Sequence, residues 1–293
     1  MLGTLQMIAV ARQLIFAACL LTCMSTVYAE KSYNFGVVPQ FEPRKLFSIW
    51  RPVLDELEHR TGFRLRMVGS TEIPAFETSA ISGEYDFAYM NPFEVMMVSD
   101  AQGYEPLVKD GSRHLSGILV VSANSPIQSP AELAGKLVAF PAPNAFGASI
   151  LIRRDLRDIF HVQVIPSYVQ THTSVYYNVA LGVAAAGGGV QSTLNLQPDK
   201  VRNALRVIYQ TEQTPPHAVV AHPRVPIEDR IKLSNAFLEL GRDESKSSIL
   251  SAIPMRSPEL TSANEYAEIK KLDLGDFYFM NGRVPHGFLK GTK

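Results

Sequence analysis

Apolar runs with the two-residue period of strands alternate with runs at helical spacing along the first third of the sequence. Strands are predicted at 33–38, 63–68 and 85–90, and helices at 45–60, at 74–82 and from Asn91-Pro92 onward. This β-α-β-α-β-α order is typical of a parallel sheet whose crossover connections are helices. The sequence therefore predicts an α/β fold.

A second unit of the same kind starts near Gly117. Its predicted strands are 118–121, 137–140, 162–165 and 205–209, with helices between them. Gly187-Gly188-Gly189 is interpreted as a flexible turn between a helix and a strand. The last part, with helices predicted around 227–240 and 263–270, has no strand run sufficient for a separate sheet. It is therefore expected to return to the first unit.

Two lobes follow from this pattern. We predict that lobe 1 is discontinuous and comprises residues 30–118 and 212–293, whereas lobe 2 comprises residues 119–211. The residues assigned to the two lobes, 30–293, make an ordinary length for two domains in one chain.

The N-terminal segment is predicted to be an export signal. One positive charge, Arg12, precedes an apolar run of about 11 residues, and small residues stand at the −3 and −1 positions of a cleavage site after Ala29. A membrane-spanning helix needs about 20 apolar residues, so a signal peptide over 1–29 is favoured over an uncleaved anchor. Lipidation at Cys23 is a third alternative. The mature protein is expected in the periplasm.

Composition narrows the possible functions. The 28 Lys and Arg residues balance the 28 Asp and Glu residues, so no broad positive field would draw the chain onto nucleic acid. Both cysteines, Cys19 and Cys23, fall in the predicted signal, which leaves the folded part without disulfides or thiolate ligands. A binding site for a ligand must therefore be sought among other groups.

Enzyme motifs are missing from the sequence. Gly187-Gly188-Gly189 lacks the Lys and Ser/Thr of a phosphate-binding P-loop, and neither a Gly-x-Ser-x-Gly elbow nor a His-Glu-x-x-His helix occurs. The seven histidines show no metal-ligand spacing. We predict a protein without catalytic residues, metal or cofactor, although an exported enzyme of the same fold acting on a small anion remains the third hypothesis.

Three junctions of a strand with a helix could hold a ligand, because the unpaired N–H groups of a helix start point outward there. They are Tyr89 to Phe93, Phe140 to Ser149 and Tyr168 to Ser174. Each also has a simpler explanation. Asn91 and Asn144 could merely cap their own helices, and a lone His172 is more often structural than ligand-binding.

At these junctions the chain resembles the phosphonate-type substrate-binding proteins of ABC importers, a branch of the type II periplasmic binding proteins. The matching stretches are Tyr85 to Pro92, Ser129 to Phe140, Pro143 to Gly147 and Thr171-His172 with the helix Val175 to Gly182. Their order and spacing cover roughly residues 33 to 240.

The resemblance implies two lobes joined by a hinge, with a small oxyanion in the cleft between them. It also implies a membrane partner, a monomer and no nucleic acid. Lobe 1 would contribute Asn91, with Gln40 and Tyr89 as wall residues. The ligand residues implied for lobe 2 are Asn144, Ala145, Phe146, Gly147, His172 and Ser174.

The departures from the family pattern concern the ligand. Asn144-Ala145-Phe146-Gly147 stands where the family usually carries Ser-Thr-Ser-Gly, and His172-Thr173 stands for its His-Asp pair. The acidic residue that would receive an amine is replaced near Gln191-Ser192. These changes argue against an aminoalkyl phosphonate and for a smaller or less charged ligand.

A related group of proteins leaves the partner open. The Pro-Ala-Pro-Asn loop at 141–144 and the Ala-Gly-Gly-Gly stretch at 186–189 resemble periplasmic proteins that serve a membrane sensor kinase, including arsenite-responsive ones. Thiolate capture of arsenite is not available to a mature chain without cysteine. The partner is thus predicted to be an ABC permease, with a sensor histidine kinase as the alternative.

Overall fold

The computed structural model describes residues 31–272 and 274–278. The predicted export signal and Cys23 lie outside this part of the chain. Within it, no helix combines the length and the apolar character that a membrane crossing requires.

The described residues form eleven strands in two separate sheets. Their bounds are β1 Ser32–Val37, β2 Arg64–Val68, β3 Phe87–Met90, β4 Glu105–Asp110, β5 Gly117–Ser122, β6 Leu137–Phe140, β7 Ile165–Tyr168, β8 Ala186–Val190, β9 Leu205–Gln210, β10 Ala218–Ala221 and β11 Pro258–Leu260. The first sheet has the order β11-β4-β10-β3-β1-β2 and the second β7-β6-β8-β5-β9. The predicted α/β fold with two sheets is confirmed.

Helices connect and cover the strands. The α-helices are α1 Pro43–Thr61, α2 Ile73–Ile81, α3 Pro92–Gln102, α4 Ile152–Asp158, α5 His172–Ala180, α6 Gln191–Asn195, α7 Asp199–Asn203, α8 Ile227–Arg242, α9 Ser247–Ser251 and α10 Ala263–Tyr266. A π-helical turn, Phe146–Leu151, leads directly into α4, and 3-10 turns cover Pro130–Leu133, Glu244–Lys246, Ala267–Leu272 and Gly275–Phe277.

In the first sheet β1, β2 and β3 are parallel, as the βαβ pattern of the sequence predicts. The later strands β10 and β11 return to this sheet and pair antiparallel with β3 and β4. β4 was not expected from the sequence. It contains a proline and a lysine, so its apolar alternation is weak.

The second sheet corrects the interpretation of the glycine run. Gly187, Gly188 and Gly189 are not a flexible turn but the middle of β8, buried between β6 and β5. Neighbours crowd them on both faces. A Cβ on Gly188 would meet the Ala148 carbonyl oxygen at 2.0 Å, and one on Gly189 the Tyr176 hydroxyl at 2.3 Å. Close approach of other groups, rather than chain flexibility, explains these glycines.

Two crossing segments join the sheets. One runs from β4 to β5 and the other from β9 to β10. They pair with each other where the Leu115 N–H donates to the Thr214 carbonyl at 2.9 Å and the Thr214 N–H donates to the Leu115 carbonyl at 2.8 Å. The predicted lobe boundary at 118/119 falls inside β5, which already begins at Gly117.

The two sheets are packed differently. Aromatic side chains fill the core around the first sheet, where Trp50 lies 5.7 Å from Phe35 and 4.8 Å from Tyr89 between ring centroids. The second sheet has a separate apolar cluster on each face. Phe146, which follows β6, and Val190, the last residue of β8, belong to the first cluster although they come from the second sheet, so apolar packing continues from one sheet to the other.

Candidate ligand site between the two sheets

Three helix starts meet where the sheets face each other. α3 begins after Asn91, whose side-chain oxygen accepts hydrogen bonds from the N–H groups of Phe93 and Glu94. Glu94 in turn accepts from the Asn91 N–H at 2.9 Å, which completes a capping box. Asn91 thus caps its helix, as the simpler explanation required, and this fixes the position of its side chain.

The other two helix starts come from the second sheet. The π-helical turn begins after Ala145 and follows β6, and α5 begins at His172, capped by the Thr171 hydroxyl. Just before this cap, Gln170 has a φ of 73°, a left-handed conformation that favours glycine. The tight turn brings the His172 N–H to 3.3 Å from the Gln40 carbonyl oxygen, a hydrogen bond between the two sheet units.

A small cavity lies between these helix starts. Its lining residues come from both sheets and are mostly neutral and buried: Val38, Gln40, Ile73, Asn91, Ala145, Phe146, Gly147, Ala148, His172, Val190 and His217. Neither Lys, Arg, Asp nor Glu is among the lining residues that the structure describes. Its empty volume is about 280 Å³, but only about 20 Å³ admits the centre of a water molecule. That is room for about one water.

Two imidazoles line this cavity in neutral form. Burial lowers the pKa of His172 to about 3, with a further contribution from His217, and burial lowers the pKa of His217 to about 3 as well. His172 Nδ1 lies 3.0 Å from the Thr193 hydroxyl, and His217 Nε2 lies 3.4 Å from Gln40 Nε2. Neutral imidazoles can donate or accept hydrogen bonds here without fixed charge.

Two carboxyl groups are buried beside the same helix starts. The Asn144 amide donates to Glu77 Oε2 at 2.7 Å and thereby joins the β6–α4 loop to α2. Burial raises the pKa of Glu77 to about 8, and burial together with the nearby Glu77 raises that of Glu94. Glu77 Oε1, Glu94 Oε1 and the Tyr278 hydroxyl are buried and have no hydrogen-bond partner among residues 31–272 and 274–278. We call Glu77 and Glu94 the carboxyl pair.

The cavity brings together six of the nine residues predicted for the site, namely Gln40, Asn91, Ala145, Phe146, Gly147 and His172. The other three do not line it. Tyr89 is buried in the core with its ring stacked on His217 at 5.2 Å, Asn144 is bonded to Glu77, and the Ser174 hydroxyl lies 2.9 Å from the Thr171 hydroxyl.

Sequence reasoning missed His217 and Val190. In the sequence His217 enters only the test for metal-ligand spacing among the seven histidines, which gives no site. Its position directly before β10, at the end of a segment that crosses between the sheets, was the available signal. Val190 ends β8, and strand ends are where ligands collect in open α/β sheets.

A larger cavity adjoins the small one, and both share Val190 and His217 as lining residues. It lies against the two crossing segments and admits the centre of a water molecule over about 380 Å³. We call it the hinge cavity. Its lining residues are Asp110, Arg113, His114, Leu115, Ser116, Val190, Gln191, Ser192, Asn195, Gln210, Gln213, Pro216, His217 and Pro254.

Two sheet units, two crossing segments and a cavity lined from both sides define a two-lobed periplasmic binding protein of type II. Solved structures of similar fold support this class. One is a binding protein component of an ABC phosphonate transporter from Pseudomonas aeruginosa, with a TM-score of 0.72 and 18% identity over 83% of this chain and 85% of that one. Another is PhnD1 from Prochlorococcus marinus in complex with methylphosphonate, with a TM-score of 0.74 and 14% identity over 84% and 97%.

The family model of the periplasmic substrate-binding proteins of phosphonate ABC transporters matches residues 35–266, and the chain belongs to this family. It is a family of binding proteins rather than enzymes, and its location is the periplasm. A third similar structure is a Xanthomonas citri protein bound to ATP, with a TM-score of 0.66 and 14% identity over 83% of this chain and 96% of that one.

Proposed function

We propose that this protein captures a small oxyanion of the phosphonate, phosphite or phosphate class between its lobes and delivers it to an ABC permease. The observation that carries the proposal is the small cavity, where Asn91 from one sheet unit meets Ala145 to Gly147 and His172 from the other. The N–H groups of Phe93 and Glu94 are taken by the Asn91 cap, so the backbone donors for the anion would come from the helix starts of the second sheet. Side chains from both units can contact one ligand only when the lobes are closed.

The lobes must separate before the ligand enters. The small cavity has room for about one water, less than a phosphonate group needs. Contacts between the units hold it in this closed form, among them the Asn144–Glu77 hydrogen bond and the ring contact of Phe93 with Phe146 at 6.2 Å between centroids. Opening breaks these contacts, and the lobes would close again around the oxyanion with the small cavity widened to hold it.

The neutral lining favours a ligand of low charge. Without a lysine or arginine among its described lining residues, the small cavity would hold the oxyanion with amide, imidazole and backbone donors. The nearby carboxyl pair would repel a second negative charge when ionised. We therefore expect a phosphorus oxyanion group that carries one negative charge, as in singly protonated phosphite and methylphosphonate, to bind better than the same group with two charges.

A thermal-shift screen of the purified protein tests the proposal. The anions are phosphite, phosphate, methylphosphonate, arsenate, arsenite, sulfate and selenite. A ligand present at about 100 times its Kd adds roughly 2.7 kcal/mol to the folded state, which gives a clear rise in Tm. A rise with one phosphorus oxyanion supports the proposal, whereas no rise with any anion contradicts it.

The partner is tested separately in cells. A strain that lacks this gene should lose growth on the identified anion as the only phosphorus source if an ABC permease is the partner. The alternative partner is a sensor histidine kinase, because the 141–144 loop resembles that of periplasmic proteins that serve such a kinase. Unchanged growth together with loss of a transcriptional response to the anion would replace the permease by the kinase.

A further inference from the structure

The hinge cavity is much larger than the small cavity. Its volume of about 380 Å³ for water centres lies within the range of small-molecule pockets, whereas the small cavity offers about 20 Å³. The two cavities meet at Val190 and His217. A ligand whose oxyanion group occupies the small cavity can therefore extend past these two residues into the hinge cavity.

Several polar side chains of the hinge cavity are available to a ligand, although Gln191 and Asn195 hydrogen-bond each other. His114, Ser116, Ser192, Gln210 and Gln213 line it, and their side chains make no hydrogen bond with any residue in the part of the chain that the structure describes. Polar groups at a concave surface that are not used by the protein itself are available to a ligand.

Charge in this cavity comes from one acidic and one basic side chain. Asp110 is buried and its carboxylate accepts hydrogen bonds from the N–H groups of Ser112, Arg256 and Ser257 and from the Ser112 hydroxyl. Arg113 touches Asp110 only at 3.8 Å and is exposed over 41% of its side chain. The carboxylate is thus already satisfied, while the guanidinium keeps donors for another partner.

We propose that the hinge cavity is a second subsite, which holds an acceptor-rich substituent of the ligand, such as a carboxylate or hydroxyl group, through Arg113 and the neighbouring amides. This inference rests on the proposed function, since the oxyanion group of the same ligand lies in the small cavity. The ligand is then an organic phosphonate with an oxygen-bearing chain, and a cationic or purely apolar chain is disfavoured.

Isothermal titration of the purified protein with chain-matched phosphonates tests the subsite. The probes are methylphosphonate, propylphosphonate, 3-aminopropylphosphonate and 2-carboxyethylphosphonate. We expect the carboxyethyl compound to bind about tenfold more tightly than propylphosphonate, because its carboxylate gains a charge-assisted hydrogen bond. We expect the aminopropyl compound to bind most weakly.

The Arg113→Gln variant locates the effect. It should bring the carboxyethyl compound to within about twofold of propylphosphonate and leave the Kd of methylphosphonate unchanged. Arg242→Gln is the matched control, since Arg242 is exposed at the end of α8 and away from both cavities. Equal Tm values of the two variants and the unmodified protein would show that folding is intact.

Each remaining outcome overturns the inference in a recognisable way. Equal affinities for the three-carbon compounds, or the tightest binding by the propyl or aminopropyl compound, would remove the subsite or its chemistry while leaving the proposed function. Loss of methylphosphonate binding in Arg113→Gln would move the oxyanion itself into the hinge cavity. If no phosphonate binds the unmodified protein, the proposed function fails together with the subsite.

Discussion

The small cavity and the carboxyl pair are both buried between the same lobes, and both are neutral for opposite reasons. In the small cavity burial lowers the pKa of His172 and His217 to about 3, so the imidazoles lose their proton. In the carboxyl pair burial raises the pKa of Glu77 to about 8, so the acid keeps its proton. Desolvation thus removes charge of either sign from the interface between the lobes.

One loop and one cap link the two regions. Asn144 donates to Glu77, and the residues that follow it, Ala145 to Ala148, line the small cavity. Asn91 lines the cavity, and its backbone N–H donates to Glu94. Because Asn144 and Asn91 connect the small cavity to the carboxyl pair, a change of protonation in one region affects the other. The opposite pKa shifts of the imidazoles and of Glu77 predict stability effects with opposite pH dependence.

The largest effect is expected on the acid side. The two imidazoles have a pKa near 6.5 in the unfolded chain and about 3 in the folded one, so the unfolded state binds more protons between these values. Stability is then lost as the pH falls from 6.5 to 3, by about 1.4 kcal/mol per pH unit for each imidazole. Urea unfolding measured at several pH values in this range should show that the free energy of unfolding falls less steeply with falling pH in the His172→Gln/His217→Gln double variant than in the unmodified protein.

The control for this prediction is His59→Gln, because His59 is exposed on α1. An acid slope that is the same in the double variant and in the unmodified protein would mean that the two imidazoles are charged in the folded state. The neutral description of the small cavity would then be wrong.

The second effect has the opposite sign. Glu77 has a pKa of 4.5 in the unfolded chain and about 8 when folded, so the folded state holds a proton that the unfolded state has lost. Stability should therefore fall as the pH rises from 4.5 to 8, by about 1.4 kcal/mol per pH unit. Glu77→Gln keeps a carbonyl for Asn144 and should make this loss of stability smaller in unfolding titrations between pH 6.5 and 8, where the raised pKa of Glu94 contributes with the same sign.

Between pH 4.5 and 6.5 the imidazoles and the acid oppose each other, so the unmodified protein should be most stable near this range. Glu268→Gln, on an exposed glutamate, is the control for the second prediction. If stability rises or stays constant from pH 6.5 to 8 in the unmodified protein, Glu77 is ionised in the folded protein. The description of the carboxyl pair as neutral would then be wrong.

A smaller effect should separate helix capping from ligand contact. Asn91→Ala removes the cap of α3 and should cost about 1 kcal/mol of stability. It should also weaken binding of the oxyanion about tenfold, which titration calorimetry measures. Ser129→Ala removes a comparable capping box before β6, away from the small cavity, and should lower stability with no change in affinity. Equal affinities in both variants would remove Asn91 from the ligand site.

The smallest effect concerns Tyr278. Its hydroxyl is buried near the carboxyl pair and has no hydrogen-bond partner among the described residues. Burial raises its pKa, and the two carboxyl groups raise it further. Tyr278→Phe removes an unsatisfied polar group, so the free energy of unfolding should stay within about 0.5 kcal/mol or increase slightly. A loss of more than 1 kcal/mol would mean that the hydroxyl hydrogen-bonds a carboxyl group in solution.

Much of the fold can be predicted from local pattern. The first three parallel strands and their helices are visible in the spacing of apolar residues, because strand and helix periods alternate within this one stretch of the sequence. The pattern fails at β8, because three glycines carry no hydropathy signal and their role depends on Ala148 and Tyr176, which come from other parts of the chain. β4 is missed because it carries Pro106 and Lys109.

The site is only partly predictable for a similar reason. Asn91 and His172 stand at helix starts that the sequence marks with a proline or a threonine cap. Glu77 and Glu94 look like ordinary helix-surface acids in the sequence, but both are buried in the fold. The role of Asn144 likewise depends on Glu77, 67 residues earlier in the chain.

The glycines that lie against the loop of Gly147 and Ala148 also limit how the ligand preference of this protein can change. The Gly147 carbonyl oxygen would lie 2.1 Å from a Cβ on Gly117, and the Ala148 carbonyl oxygen 2.0 Å from one on Gly188. The backbone of this loop rests directly on two strands and cannot retreat to make space. A change of ligand preference over evolution is therefore expected through exchanged side chains around the cavity, such as Gln40 and His217 on the opposite wall, rather than through a shift of this loop.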